Sequence, residues 1–139
     1  MENMPRGIRN NNPGNIDYNR ANKWKGQLGL EVGTPKPRFA RFDTPENGIR
    51  AIAKLLLGYH RKGFTTVAAM INRWAPPVEN DTGSYAHAVA KRLGVKPDQP
   101  LTLDYKTLVI FVTAIIMHEN GMQPYSVDQI WTGVTRAFV

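Results

Sequence analysis

Apolar residues fall into helical spacing only after position 43. Ile49, Ile52, Ala53, Leu56 and Leu57 recur three and four apart, which predicts an amphipathic helix reaching about His60. Asp43-Thr-Pro-Glu46 supplies its start: a capping residue, an early proline, and a glutamate three positions on. Gly63 breaks the pattern. Thr65 is expected to cap a second helix through Val67, Met70, Ile71 and Trp74, which Ala75-Pro-Pro77 stops. Asp81 or Thr82 starts a third, with Tyr85, Val89 and Leu93 on one face and Gly94 at its end. The fourth, about 104–119, is different. Its segment Leu108–Met117 is apolar almost all round, the mark of a buried helix. Ser126-Val-Asp-Gln129 is a capping box that opens a short terminal helix carrying Ile130, Trp131 and Val134.

Residues 1–43 read otherwise. They are rich in Asn, Gly, Pro and Arg, and their apolar runs are short. Leu28–Val32 and Arg38–Phe42 are candidate strands of a small hairpin. The stretch is too long for an idle loop. The expected class is therefore mainly α (α+β), with one domain over 1–139: an irregular/β lobe at 1–43 and a helical part at 44–139.

The buried fourth helix ends in His118-Glu119-Asn120-Gly121, and Gly121 is a natural stop. Glu119 then lies where the helix carries partial negative charge, and burial also opposes ionisation. Both effects favour a carboxyl that holds its proton, as a general acid must. The alternative is a Glu119 that points into solvent just past the helix.

The chain has 139 residues, enough for a substantial core, and no cysteine. A disulfide framework, a thiolate zinc site and thiol catalysis are thus excluded. Neither a Gly-x-Ser-x-Gly elbow nor a phosphate loop occurs. His60, His87 and His118 lack ligand spacing, so no metal is expected, and no cofactor is implied. The first residues, Met1–Arg6, contain no apolar stretch of the kind a secretory signal needs, and 108–117 is too short to span a bilayer. A net charge of +7 points to an anionic partner: nucleic acid, a membrane surface or a bacterial envelope polymer. The basic residues look scattered along the chain, which argues against nucleic acid.

Arg6–Ile16 concentrates amides, glycines and a proline. Amides both donate and accept, which suits hydroxyl- and acetamide-rich ligands, but Asn and Gly also simply supply turn geometry. Trp74 is either core or a sugar platform. Tyr85, Gln123 and Tyr125 are candidate groove residues. Glu46 has the ordinary place of a first-turn carboxylate, and Glu79 and Asp81 are candidate caps of the third helix.

Several of these stretches, taken as a set, resemble a phage family. They are Gly7–Ile16, Trp24-Lys-Gly26, Phe39–Phe42, Gly48–Ala51, Arg73–Pro77 and His118–Gly121. Members of that family are virion-associated or lytic proteins, including the lytic enzyme of enveloped double-stranded RNA phages. The resemblance spans nearly the whole chain and implies a lysozyme-like fold that degrades bacterial cell wall. A more distant resemblance is to flagellar-type glucosaminidases and lytic transglycosylases. There a helix ending in a catalytic Glu precedes a stretch like Asn12–Ile16, then Trp-x-Gly, then Phe-x-x-Phe. Here no such helix fits before residue 10, and the helix ending in Glu119 has the matching character. A circularly permuted arrangement follows, with helix 104–119 closing the fold.

The resulting expectation is a monomeric enzyme of the virion or the host periplasm that cleaves the glycan strand of peptidoglycan. Glu119 would be general acid and base, and Asn12, Asn15, Tyr85, Gln123 and Tyr125 would bind sugar. Simple hydrolysis calls for a second carboxylate, for which Asp17, Asp43 and Glu46 are the candidates. The rival expectations are a peptidase that cuts the cross-link and a non-catalytic basic virion protein that binds wall or nucleic acid.

Overall fold

The computed structural model of the chain describes residues 4–139, so the signal-sequence expectation falls partly outside the described residues. Six helices and one two-stranded sheet follow in the order α1 (Arg6–Arg9), β1 (Gln27–Leu30), β2 (Ala40–Phe42), α2 (Pro45–Arg61), α3 (Val67–Trp74), α4 (Thr82–Leu93), α5 (Tyr105–Asn120) and α6 (Val127–Ala137). The protein is mostly α, with a small antiparallel hairpin.

Most helix starts carry a side-chain cap, with small shifts from the expected positions. Thr44, not Asp43, is the N-cap of α2: it accepts from the Asn47 amide at 3.2 Å, while Asp43 takes the Asn47 side chain at 2.9 Å. Thr66 rather than Thr65 caps α3, because the Thr65 carbonyl is spent on the Leu101 amide. Asp81, Asp104 and Ser126 cap α4, α5 and α6, the last in a complete capping box. Gly94 and Gly121 end α4 and α5 in the left-handed conformation that favours glycine. Sequence periodicity missed α1, whose single turn is too short to show a repeat.

Helix α5 is the buried centre: Leu108, Phe111, Val112, Ala114, Ile115 and Ile116 are all inaccessible or nearly so. Helix α6 lies across α2. Gly133 permits this, since a Cβ there would stand 2.5 Å from the Ile49 side chain. The two parts that look so unlike in sequence share one core, because Ile16, Ala40 and Phe42 of the N-terminal lobe pack with the helices. No helix among the described residues is long and apolar enough to cross a membrane.

Candidate active site

Glu119 stands on the last turn of α5, half-buried, and lines a cleft of about 660 Å³ between the N-terminal lobe and the helical body. Its two carboxylate oxygens accept from different parts of the chain. Asn15 Nδ2 donates to Oε1 at 3.0 Å, and the Tyr85 hydroxyl donates to Oε2 at 2.8 Å. Tyr85 is held on α4 by burial and by stacking on His118, with ring centroids 3.7 Å apart. Burial, reinforced by the nearby Glu119 charge, pushes the Tyr85 phenol far above its ordinary range, so it stays a proton donor in this pair.

The Asn15 side chain is aimed by the turn it sits in. Asn15 itself is left-handed, at φ 50°, a conformation that asparagine tolerates better than most residues. Asn12 fixes that turn: its Nδ2 donates to the Ile16 and Ala40 carbonyls, both at 2.9 Å, and its Oδ1 accepts from the Ile16 amide. Asn120, next to Glu119, donates to the Pro13 carbonyl at 2.8 Å and so ties the end of α5 to the same turn. Gly7 lets the pieces close up, since a Cβ there would meet Asn120 Oδ1 and Asn15 Oδ1 at 2.6 and 2.7 Å. Within the asparagine cluster Asn12 thus builds the turn, as turn geometry led one to expect, and Asn15 hydrogen-bonds Glu119.

The structure places four of the expected ligand residues, Asn12, Tyr85, Gln123 and Tyr125, outside the lining of the cleft. Asn12 is completely buried, with both its N–H donors and its carbonyl oxygen bonded to backbone. Tyr85 is buried too, and it positions Glu119 rather than lining the groove. Gln123 folds back on the Tyr125 backbone through two 2.8 Å bonds, and Tyr125 is buried away from the cleft. Burial, with the Glu46 charge adding to it, raises the Tyr125 phenol to about 12. Asn15 and Glu119 are the expected site residues that line the cleft.

The cleft walls are aromatic and charged. Trp24, Tyr59 and Trp74 line it, so the half-buried Trp74 serves both the core and the cleft. Arg38 pairs with Asp17 at 2.5 Å and with Glu79 at 3.1 Å, joining the N-terminal lobe to the α3–α4 connection at the cleft. Glu79 is thus a cleft residue and not a helix cap. Of the candidate second carboxylates, Asp17 lines the cleft but is engaged by Arg38, whereas Asp43 and Glu46 lie elsewhere. No periodicity could have revealed this trio, because its members come from three separate irregular segments.

The chain belongs to a family of phage proteins. It is similar to Protein P5 of Pseudoalteromonas phage PM2, with 39% identity over 136 residues, covering 96% of this chain and 82% of that protein. No family model matches the chain. The phage part of the resemblance is thereby shown, and the name P5 carries no statement of activity.

Proposed function

We propose that this is a peptidoglycan-degrading lytic enzyme of a phage, permuted lysozyme-like in fold, that cleaves the glycan strand with Glu119 as general acid and base. The observation that carries this reading is the Glu119 carboxylate, oriented by Asn15 and Tyr85 at the end of a buried helix and facing an aromatic-walled cleft. The two donors occupy two of the roughly four lone-pair sites of the carboxylate. The others leave room for the acid proton, which passes to the glycosidic oxygen as its bond to the sugar carbon breaks and is replaced by the proton taken from the incoming nucleophile.

Arg38 engages both other carboxylates that line the cleft, Asp17 and Glu79. That favours a transglycosylase-type route, in which the sugar's own hydroxyl closes a ring and no second carboxylate has to activate water. Trp24, Tyr59 and Trp74 offer apolar faces to sugar rings. The enzyme would act as a virion-borne or periplasmic monomer. Mass analysis of products from purified peptidoglycan tests the reading directly. Anhydro-muramic ends are expected. Reducing ends would mean a hydrolase, free amines a peptidase, and an intact wall a non-catalytic binder.

A further inference from the structure

The exposed part of the hairpin has the wrong chemistry for a surface that meets only water. Leu28, Leu30 and Val32 alternate along β1 and just beyond it, and they are 54%, 38% and 68% exposed. A two-stranded sheet normally turns polar side chains outward and aliphatic ones inward. Here the buried residue between Leu30 and Val32 is the acid Glu31, and the exposed ones are aliphatic.

The charge around this row is one-sided. Residues 18–42 carry Arg20, Lys23, Lys25, Lys36, Arg38 and Arg41 against a single acid, Glu31. Glu31 is buried and paired with Arg6, and Arg38 is occupied by Asp17 and Glu79. Arg20, Lys23, Lys25 and Lys36 are exposed, with no acidic partner among the described residues. Arg20 and Lys23 share a shallow concavity of about 320 Å³ with Leu28, and Lys36 lies in the same connection as Val32. The basic residues are therefore less scattered than the sequence pattern implies.

We infer that this hairpin docks the protein on an anionic phospholipid surface. The aliphatic row enters the boundary between headgroups and acyl chains, and the flanking cations meet lipid phosphates. Apolar insertion and cationic attraction together are what interfacial binding requires, and neither needs a spanning helix. Nucleic acid would match the cations but leave the aliphatic row exposed, and so would a polysaccharide wall. The inference does not depend on the chemistry of the cleft.

Flotation of the full chain with phosphatidylcholine vesicles, with and without phosphatidylglycerol, tests it. Binding is expected only to the vesicles containing phosphatidylglycerol. The variant Leu28→Ser/Leu30→Ser/Val32→Ser should bind at least about tenfold more weakly, since each exposed aliphatic side chain loses its partner. Lys23→Gln/Lys25→Gln should weaken binding at least about fivefold. Unchanged circular dichroism would show that both variants are folded. Absence of wild-type flotation overturns the inference, as does equal binding by the serine variant. A wild-type dimer that the serine variant dissociates in sedimentation would mean that a second copy covers the row. Tight duplex DNA binding that abolishes flotation without loss in the serine variant would assign the cations to nucleic acid.

Discussion

Glu119 takes its setting from donors far away in the chain, Asn15 before the hairpin and Tyr85 on α4. Glu119→Gln should abolish wall lysis. It should shift unfolding stability by about 1 kcal/mol or less, because the amide keeps one acceptor and the Tyr85 hydroxyl can accept from its NH2. Turbidity assays beside thermal melts measure both, and lysis retained by a folded variant would remove Glu119 from the mechanism. Tyr85→Phe is a milder change that separates positioning from binding. With one hydrogen bond lost, kcat on wall fragments should fall roughly tenfold while KM holds. A rise in KM alone would make Tyr85 a sugar-binding residue after all. Tyr125→Phe is the control, because the buried Tyr125 hydroxyl has no partner among the described residues and does not line the cleft.

Among the elements, the hairpin and α1 are held together by Glu31. Its carboxylate accepts from Arg6, from Asn10 and from the Arg38 and Phe39 amides. The Arg6 guanidinium above all, opposed by burial and helped by the two amides and Asn10, holds it down at about 2. A carboxylate lowered on folding stabilises the fold fully above its unfolded value, near 4.5. That stabilisation, of order 3 kcal/mol, is withdrawn as the pH falls from there toward 2. Urea titrations between about pH 6 and pH 3 should show this loss, and Glu31→Gln should flatten it by lowering stability at the upper end. Glu46 belongs to the start of α2, where Thr44 alone makes the side-chain cap. Glu46→Gln should therefore cost about 1 kcal/mol or less through the helix dipole and leave lysis largely intact. Lysis lost as deeply as in Glu119→Gln, with the fold preserved, would make Glu46 the second catalytic carboxylate.

Over the whole molecule, a net charge of +7 acts on where the protein goes more than on what it does there. Exposed cations are screened over a Debye length, about 8 Å at physiological salt. Raising salt from low to moderate should weaken association with intact cells and slow their lysis, and leave turnover of small soluble glycan fragments nearly constant. Fragment cleavage falling as steeply as whole-cell lysis would place the cations in the active site.

Helix content, the caps of α4 and α6, the glycine stops and the burial of α5 were legible in the sequence, because each depends on residues within a turn or two of one another. The same locality made Glu119 conspicuous at the end of an apolar helix. What the sequence could not determine depends on contacts across long stretches of chain. Asn12 and Asn15 are near-identical in composition and context, yet one is a buried brace and the other meets the acid. Only the closure of the Asn12–Ile16 turn onto α5 decides which is which. Tyr85 looked like a groove residue because helical spacing tells which face a side chain is on, not which neighbour covers that face. Asp17, Arg38 and Glu79 meet because the N-terminal lobe folds over the α3–α4 connection. Glu31 is neutralised by a partner twenty-five positions away. Ion pairs of this kind follow no period, since Coulomb and hydrogen-bond forces depend on distance in space, and only the packed core fixes that.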